Sequence, residues 1–212
     1  MEITAEKIMQ QLSAGTQVAG VIAVFGEEGY YKDKIAAALP RAVFGDAAPE
    51  DREITVFERD TDIKEISAAV NTYPFFSGRS LVIIKDEKLW GGKDGGEKRK
   101  QQQEELAELL ADVPEHCQVL LLGEKIDKRG KLYKSLLKTA AMVECKSLKS
   151  YQLKPWLDEQ AALRGCRFDY EASQTIMEYL SVTDNAPLLL LEQEIEKLSV
   201  YAGERKIWTK DD

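Results

Sequence analysis

The stretch Val21–Asp33, VIAVFGEEGYYKD, decides how this chain folds. Five apolar residues run without a break and stop at Gly26. Such a run, closed by a glycine, reads as a strand buried on both faces. Tyr31, Ile35, Ala38 and Leu39 then recur at helical spacing, which predicts a helix from about Tyr30 to Leu39. A buried strand, a glycine turn and an amphipathic helix open a βαβ unit. The first such turn of an α/β sheet is the usual cradle for phosphate.

The turn has the position of that cradle without its chemistry. Set against G-x-x-x-x-G-K-[ST], it keeps Gly26 and Lys32. Tyr31 stands where the second glycine belongs, and Asp33 where the Mg²⁺-binding hydroxyl belongs. The tyrosine would crowd the backbone N–H groups that must close on a phosphate. Glu27 and Glu28 add two negative charges. At ~4 Å and a surface-like dielectric each repulsion is about 4 kcal/mol per unit charge. A degenerate phosphate loop is therefore expected at Gly26, Tyr31, Lys32 and Asp33, with no cofactor bound there.

Outward from this turn, Thr4–Ala14 reads as a helix with Ile8 and Leu12 on one face. Arg41–Arg52 reads as a connecting loop and Ile54–Phe57 as a second strand. Thr61 and Asp62 offer N-cap chemistry to a helix carrying Ile63, Ile66, Val70 and Tyr73, which Pro74 ends. Leu81–Ile84 is a third strand. Leu106, Leu109 and Leu110 mark the inner face of a further helix. Val119–Leu122 and Met142–Cys145 are strands on either side of a short helix at Lys131–Thr139. Strands alternating with helices predict an α/β fold, a parallel five-stranded sheet with helices on both faces. From Tyr151 onward three helical patterns follow one another. A boundary is placed near Ser147, giving an α/β domain over 1–146 and a small three-helix domain over 147–212.

The chain has 212 residues and a net charge of −8, so its surface as a whole is not built to hold nucleic acid. Cys117, Cys145 and Cys166 are widely spaced, with no CxxC pair, and read as thiols in a reducing compartment. His116 is the only histidine, which excludes a His-rich metal site. The start of the chain, MEITAEKIMQQL, is polar and amphipathic, and no apolar run is long enough for a bilayer. A cytoplasmic protein is expected, with no membrane contact.

The second stretch that matters is Asn71–Asp86, NTYPFFSGRSLVIIKD. Phe75 and Phe76 follow a proline in the turn between a helix and a strand. Isolated aromatics usually fill the core. In a turn, where side chains point outward and function concentrates, two adjacent ones suggest a plug for a partner's pocket. The strand after them ends in Asp86-Glu87, which looks like a Mg²⁺-holding acidic pair; without a phosphate loop, a solvated acidic turn is the better reading. The basic loop Lys93–Lys100 could meet phosphates but has no interleaved aromatics for stacking bases. No G-x-S-x-G elbow is present.

Five segments in order resemble one family: VFGEEGYYKDKI (Val24–Ile35), NTYPFFSGRSLVIIKD (Asn71–Asp86), VLLLGEKIDKRGKLYKSL (Val119–Leu136), VECKSLKSYQLKPWL (Val143–Leu157) and LLLEQEIEKLSVYAGE (Leu189–Glu204). Together they resemble the delta subunit of bacterial DNA polymerase III, the clamp-loader subunit that opens the sliding clamp in DNA replication. The resemblance implies an AAA+-like fold that has lost ATP, followed by a three-helix lid and then a collar domain. It implies no catalysis of the chain's own, within a holoenzyme that is a DNA-directed DNA polymerase, a nucleotidyltransferase. The implied partners are the sliding clamp (beta subunit), the other loader subunits through the collar, and a weak contact with primer-template DNA. By position in the motif, the clamp-binding residues are Phe75 and Phe76, flanked by Tyr73 and Pro74. The collar is expected to lie beyond Asp212, outside this chain. Two other readings stand beside this one: an NTPase with an atypical site, against which Tyr31 and Asp33 count, and a nucleic-acid-binding replication factor, against which the net charge counts.

Overall fold

The computed structural model describes residues 1–15, 19–59, 61–85, 89, 96–181 and 188–212. Two compact units divide the chain, Met1–Cys145 and Lys146–Asp212. The acidic pair Asp86-Glu87, Lys93 of the basic loop and the 183–187 segment lie outside the described residues.

In the first unit the strands are β1 (Val21–Phe25), β2 (Glu53–Phe57), β3 (Ser80–Ile84), β4 (Cys117–Gly123) and β5 (Ala140–Glu144). They form one sheet in the order β2-β3-β4-β1-β5, and every neighbouring pair is parallel. All five residues of β1 and of β3 are buried, as their unbroken apolar runs require of central parallel strands.

Helices cover both faces. Val21, Ala23, Phe25, Val82, Ile84, Val119, Leu121 and Met142 share one face and one apolar cluster. Packed into it are Ile63, Ile66 and Val70 of α3 (Ile63–Asn71), Leu106 of α4 (Glu97–Leu109), and Leu132, Tyr133 and Leu136 of α5 (Lys131–Thr139). The other face faces α1 (Ala5–Ser13) and α2 (Gly29–Phe44), which bury Ile8, Leu12, Ile35 and Leu39. Local caps set the helix starts. Thr4 Oγ1 accepts from Lys7 N at 3.3 Å, and Asp62 Oδ1 from Lys64 N at 3.0 Å.

Several boundaries differ from the sequence expectations. The helix expected to stop at Leu39 runs on to Phe44, through Pro40. Proline loses one i→i−4 bond, but Val43 and Phe44 continue the buried face and outweigh that loss. The connecting loop therefore begins at Gly45. Tyr73, expected on the α3 face, lies beyond the helix and is exposed, because Thr72 is already extended before Pro74. At the β5 edge, Ile3 N donates to Met142 O and Met142 N to Met1 O, both at 2.9 Å, so that edge is covered. Among the described residues the outer edge of β2 has no such cover, and Ile54, Thr55 and Val56 are exposed.

The second unit contains α6 (Ser150–Leu163), α7 (Tyr170–Ser181) and α8 (Leu188–Ala202). It also holds a parallel pair of two-residue strands, β6 (Arg167–Phe168), which the sequence pattern did not predict, and β7 (Ile207–Trp208), where Ile207–Thr209 reads as the start of an element. Phe168 and Trp208 are buried edge-to-face at 5.2 Å. The Arg164 guanidinium ties α6 to α8 through two bonds to Glu196 Oε2, at 3.0 and 2.8 Å. Tyr179 recurs at helical spacing with Ala172, Ile176 and Leu180, yet it is exposed while Ala172 and Leu180 are buried.

Candidate functional site: a filled phosphate turn and an exposed phenylalanine pair

At the carboxyl end of β1 the turn closes on itself. Gly26 has φ 131°, and a Cβ there would lie 2.7 Å from the carbonyl carbon of Cys145. The backbone beside it is stitched to the end of β5: Cys145 N donates to Phe25 O at 2.6 Å and Glu28 N to Cys145 O at 3.1 Å. Glu28 is buried, and its Oε1 accepts from Tyr30 N at 2.9 Å. The N-terminus of α2, where a phosphate would sit, thus already holds a carboxylate from the chain itself. Lys32 Nζ, at the position of a phosphate-loop lysine, donates to Gly26 O at 2.8 Å. Tyr30 and Tyr31 are both buried and stack edge-to-face at 5.1 Å. Burial pushes the Cys145 thiol up to about 12, against the opposing pull of Lys32, so it is no nucleophile. Among the described residues no group of three or more His, Cys, Asp or Glu could hold a metal ion. No helix among them is long and apolar enough to cross a membrane.

At the opposite, amino end of the sheet lies the loop between α3 and β3. Thr72 ends α3 with its N–H and its hydroxyl both donating to Ala68 O, at 3.0 and 2.7 Å. Pro74 is buried and turns the chain. Phe75 is then 87% and Phe76 68% exposed, values far from those of core aromatics. Their rings meet edge-to-face at 5.2 Å, a favourable geometry that joins them into one apolar knob. Tyr73, 71% exposed, stacks on His116 at 5.1 Å beside the knob. Three of the four residues singled out from sequence therefore reach solvent together, and Pro74 does not.

Two devices hold the loop. Ser77 Oγ donates to Arg79 O at 2.7 Å, around Gly78 at φ 66°. Glu53 Oε1, from the first residue of β2, accepts from Phe75 N at 2.7 Å and Phe76 N at 3.3 Å. Sequence reasoning missed Glu53. It lies 22 residues before Phe75, and no local pattern links the two.

The architecture defines an AAA+-like α/β protein whose first strand-to-helix turn is occupied by its own side chains. The family model of the DNA polymerase III delta subunit matches residues 25–146, more than half of the chain, and the chain belongs to that family. It is 29% identical over 199 residues to DNA polymerase III subunit delta of Bacillus subtilis, covering 92% of this chain and 56% of that protein. Its fold is similar to that of the Bacillus subtilis DNA clamp loader delta protein, with a TM-score of 0.74 and 26% identity. That match covers 98% of this chain and 60% of the other. The chain thus spans somewhat more than half the length of these relatives.

Proposed function

We propose that this chain is the clamp-binding part of a clamp-loader delta subunit. It grips the sliding clamp through Phe75 and Phe76, with Tyr73 at the margin, and favours the open ring without hydrolysing ATP. A ligand shifts a conformational equilibrium only by binding one state better, so the knob would have to fit the open clamp more tightly than the closed one. The observation that carries the reading is the exposure of the pair: two apolar rings, packed on each other and on little else, held on a tied-down loop. Exposed aromatic pairs of this kind are the usual anchors of an interface. Pro74, being buried, serves the turn rather than the contact. The absence of ATP chemistry is supported by the internal partners of Glu28 and Lys32. Other loader subunits and primer-template DNA belong to the same reading as further partners.

The test is the double variant Phe75→Ala/Phe76→Ala, titrated against the cognate sliding clamp. An interface aromatic is worth about 2 kcal/mol or more, roughly 30-fold in affinity. Neighbours in one pocket do not sum, so the expected loss is at least about tenfold. The melting temperature should stay within a few degrees, because neither ring is core. Wild-type affinity in the double variant would overturn the assignment.

A further inference from the structure

An exposed aromatic pair has little packing beneath it to fix its direction, so the backbone must do so. Here two consecutive N–H groups, those of Phe75 and Phe76, converge on one carboxylate oxygen of Glu53. Hydrogen bonds to an ionised acceptor are shorter and stronger than neutral ones. The carboxylate comes from the edge strand β2, which is itself held in register along β3 from Glu53↔Ser80 to Phe57↔Ile84. The anchor is therefore part of the sheet, while the groups it holds belong to the loop. On the far side of the pair, Ser77 closes its own turn with Arg79 and does not touch the phenylalanine amides.

We propose that Glu53 is a positioning residue for the clamp contact. It holds the backbone of Phe75 and Phe76 so that both rings are presented at once, and so removes part of the ordering cost of binding. The proposal rests on the reading of those two rings as the contact.

Three single variants and the double variant test it. Glu53→Ala removes the acceptor, Glu53→Asp withdraws it by one methylene, and Glu53→Gln keeps an acceptor oxygen at the same reach. Amide hydrogen exchange at Phe75 and Phe76 is followed by NMR in the free protein, and affinity for the sliding clamp is measured in parallel. Loss of a hydrogen bond to a charged group corresponds to roughly tenfold or more in local opening. Exchange at both amides should therefore accelerate by about tenfold in Glu53→Ala and by less in Glu53→Asp. Clamp affinity should fall in the same order, and Glu53→Gln should restore most of both. Unchanged exchange in Glu53→Ala overturns the positioning role. Faster exchange with wild-type affinity also overturns it, while leaving the contact itself standing if Phe75→Ala/Phe76→Ala still loses binding. If the double variant binds as wild type does, the contact reading falls and the positioning role falls with it. A fall in melting temperature that matches the loss of affinity in all three Glu53 variants would make Glu53 a stability residue and refute the inference.

Discussion

Gly26 stands where a phosphate loop has its first glycine, yet its neighbours require glycine for a different reason. A methyl group there would overlap Cys145 O and lie 2.7 Å from the carbonyl carbon and 2.9 Å from the nitrogen of the same residue. All three atoms are backbone, so no side chain can swing aside. Relief requires the end of β5 to move away from β1, and that breaks Cys145 N to Phe25 O and Glu28 N to Cys145 O. Each such bond contributes about 1 kcal/mol. Holding a non-glycine residue at φ 131° costs a further 1–3 kcal/mol, roughly. Gly26→Ala should therefore destabilise the first unit by on the order of 3–5 kcal/mol. That corresponds to a drop in melting temperature of on the order of 15 °C for a unit of this size. Gly29→Ala is the control in the same turn, since a Cβ there meets nothing within 4 Å. It should be neutral or slightly stabilising, because alanine is the better helix residue. Thermal and urea melts followed by far-UV circular dichroism decide the matter. If Gly26→Ala melts with Gly29→Ala, the glycine is not there for the approach of β5, and a vestigial phosphate role becomes the better account.

Calorimetry with Mg·ATP should give no saturable isotherm, because Glu28 and Lys32 already satisfy each end of the turn; a micromolar isotherm would refute this. Cys145 makes stability fall at alkaline pH. Its folded value of about 12 lies above the ordinary 9.0, so the folded state holds the proton longer. That contribution is whole below pH 9.0 and is lost as the pH rises towards 12, and Cys145→Ala should flatten the urea midpoint across that window. A variant curve parallel to wild type would contradict it.

The sheet was legible in the sequence because its strands are apolar runs bounded by glycine, proline or charge. Val21–Phe25 and Leu81–Ile84 could be nothing else at that length, and the structure differs at their ends by one residue at most. Helix ends were less legible. Pro40 signals a stop locally, but burial of Val43 and Phe44 decides the outcome from the far side of the proline. Likewise β6 and β7 are two residues each, and they pair only because Trp208 finds Phe168 40 positions away in sequence. The degenerate turn could be read as broken from Tyr31 and Asp33. How it is filled could not, since Glu28 was expected to repel a phosphate and instead takes its place. Phe75 and Phe76 were visible as an anomaly of composition in a turn. Glu53 was not, because a carboxylate opening a strand looks like any solvated strand end.

Parallel α/β sheets bind their ligands outside the carboxyl ends of the strands, at the point where strand order reverses. In this chain that end is β1 and Gly26, between β4 and β5, and it is packed with Tyr30, Tyr31, Glu28 and the Cys145 carbonyl. The proposed contact sits at the other end, before β3, where such folds ordinarily carry only connections. The two facts belong together. A sheet that must hold nucleotide keeps its carboxyl end open, with glycines spent on the ligand and a lysine left free. Once that end is closed, Lys32 and Glu28 become internal ties, and β1, α2 and β5 gain a rigid junction that no ligand has to complete. Rigidity of that kind suits a chain whose proposed task is to hold a partner with one exposed loop, because a loop anchored to a stiff sheet through Glu53 loses little freedom when it binds. The fold alone would direct attention to the carboxyl end. The exposure of Phe75 and Phe76, read together with the filled turn, directs it to the amino end instead.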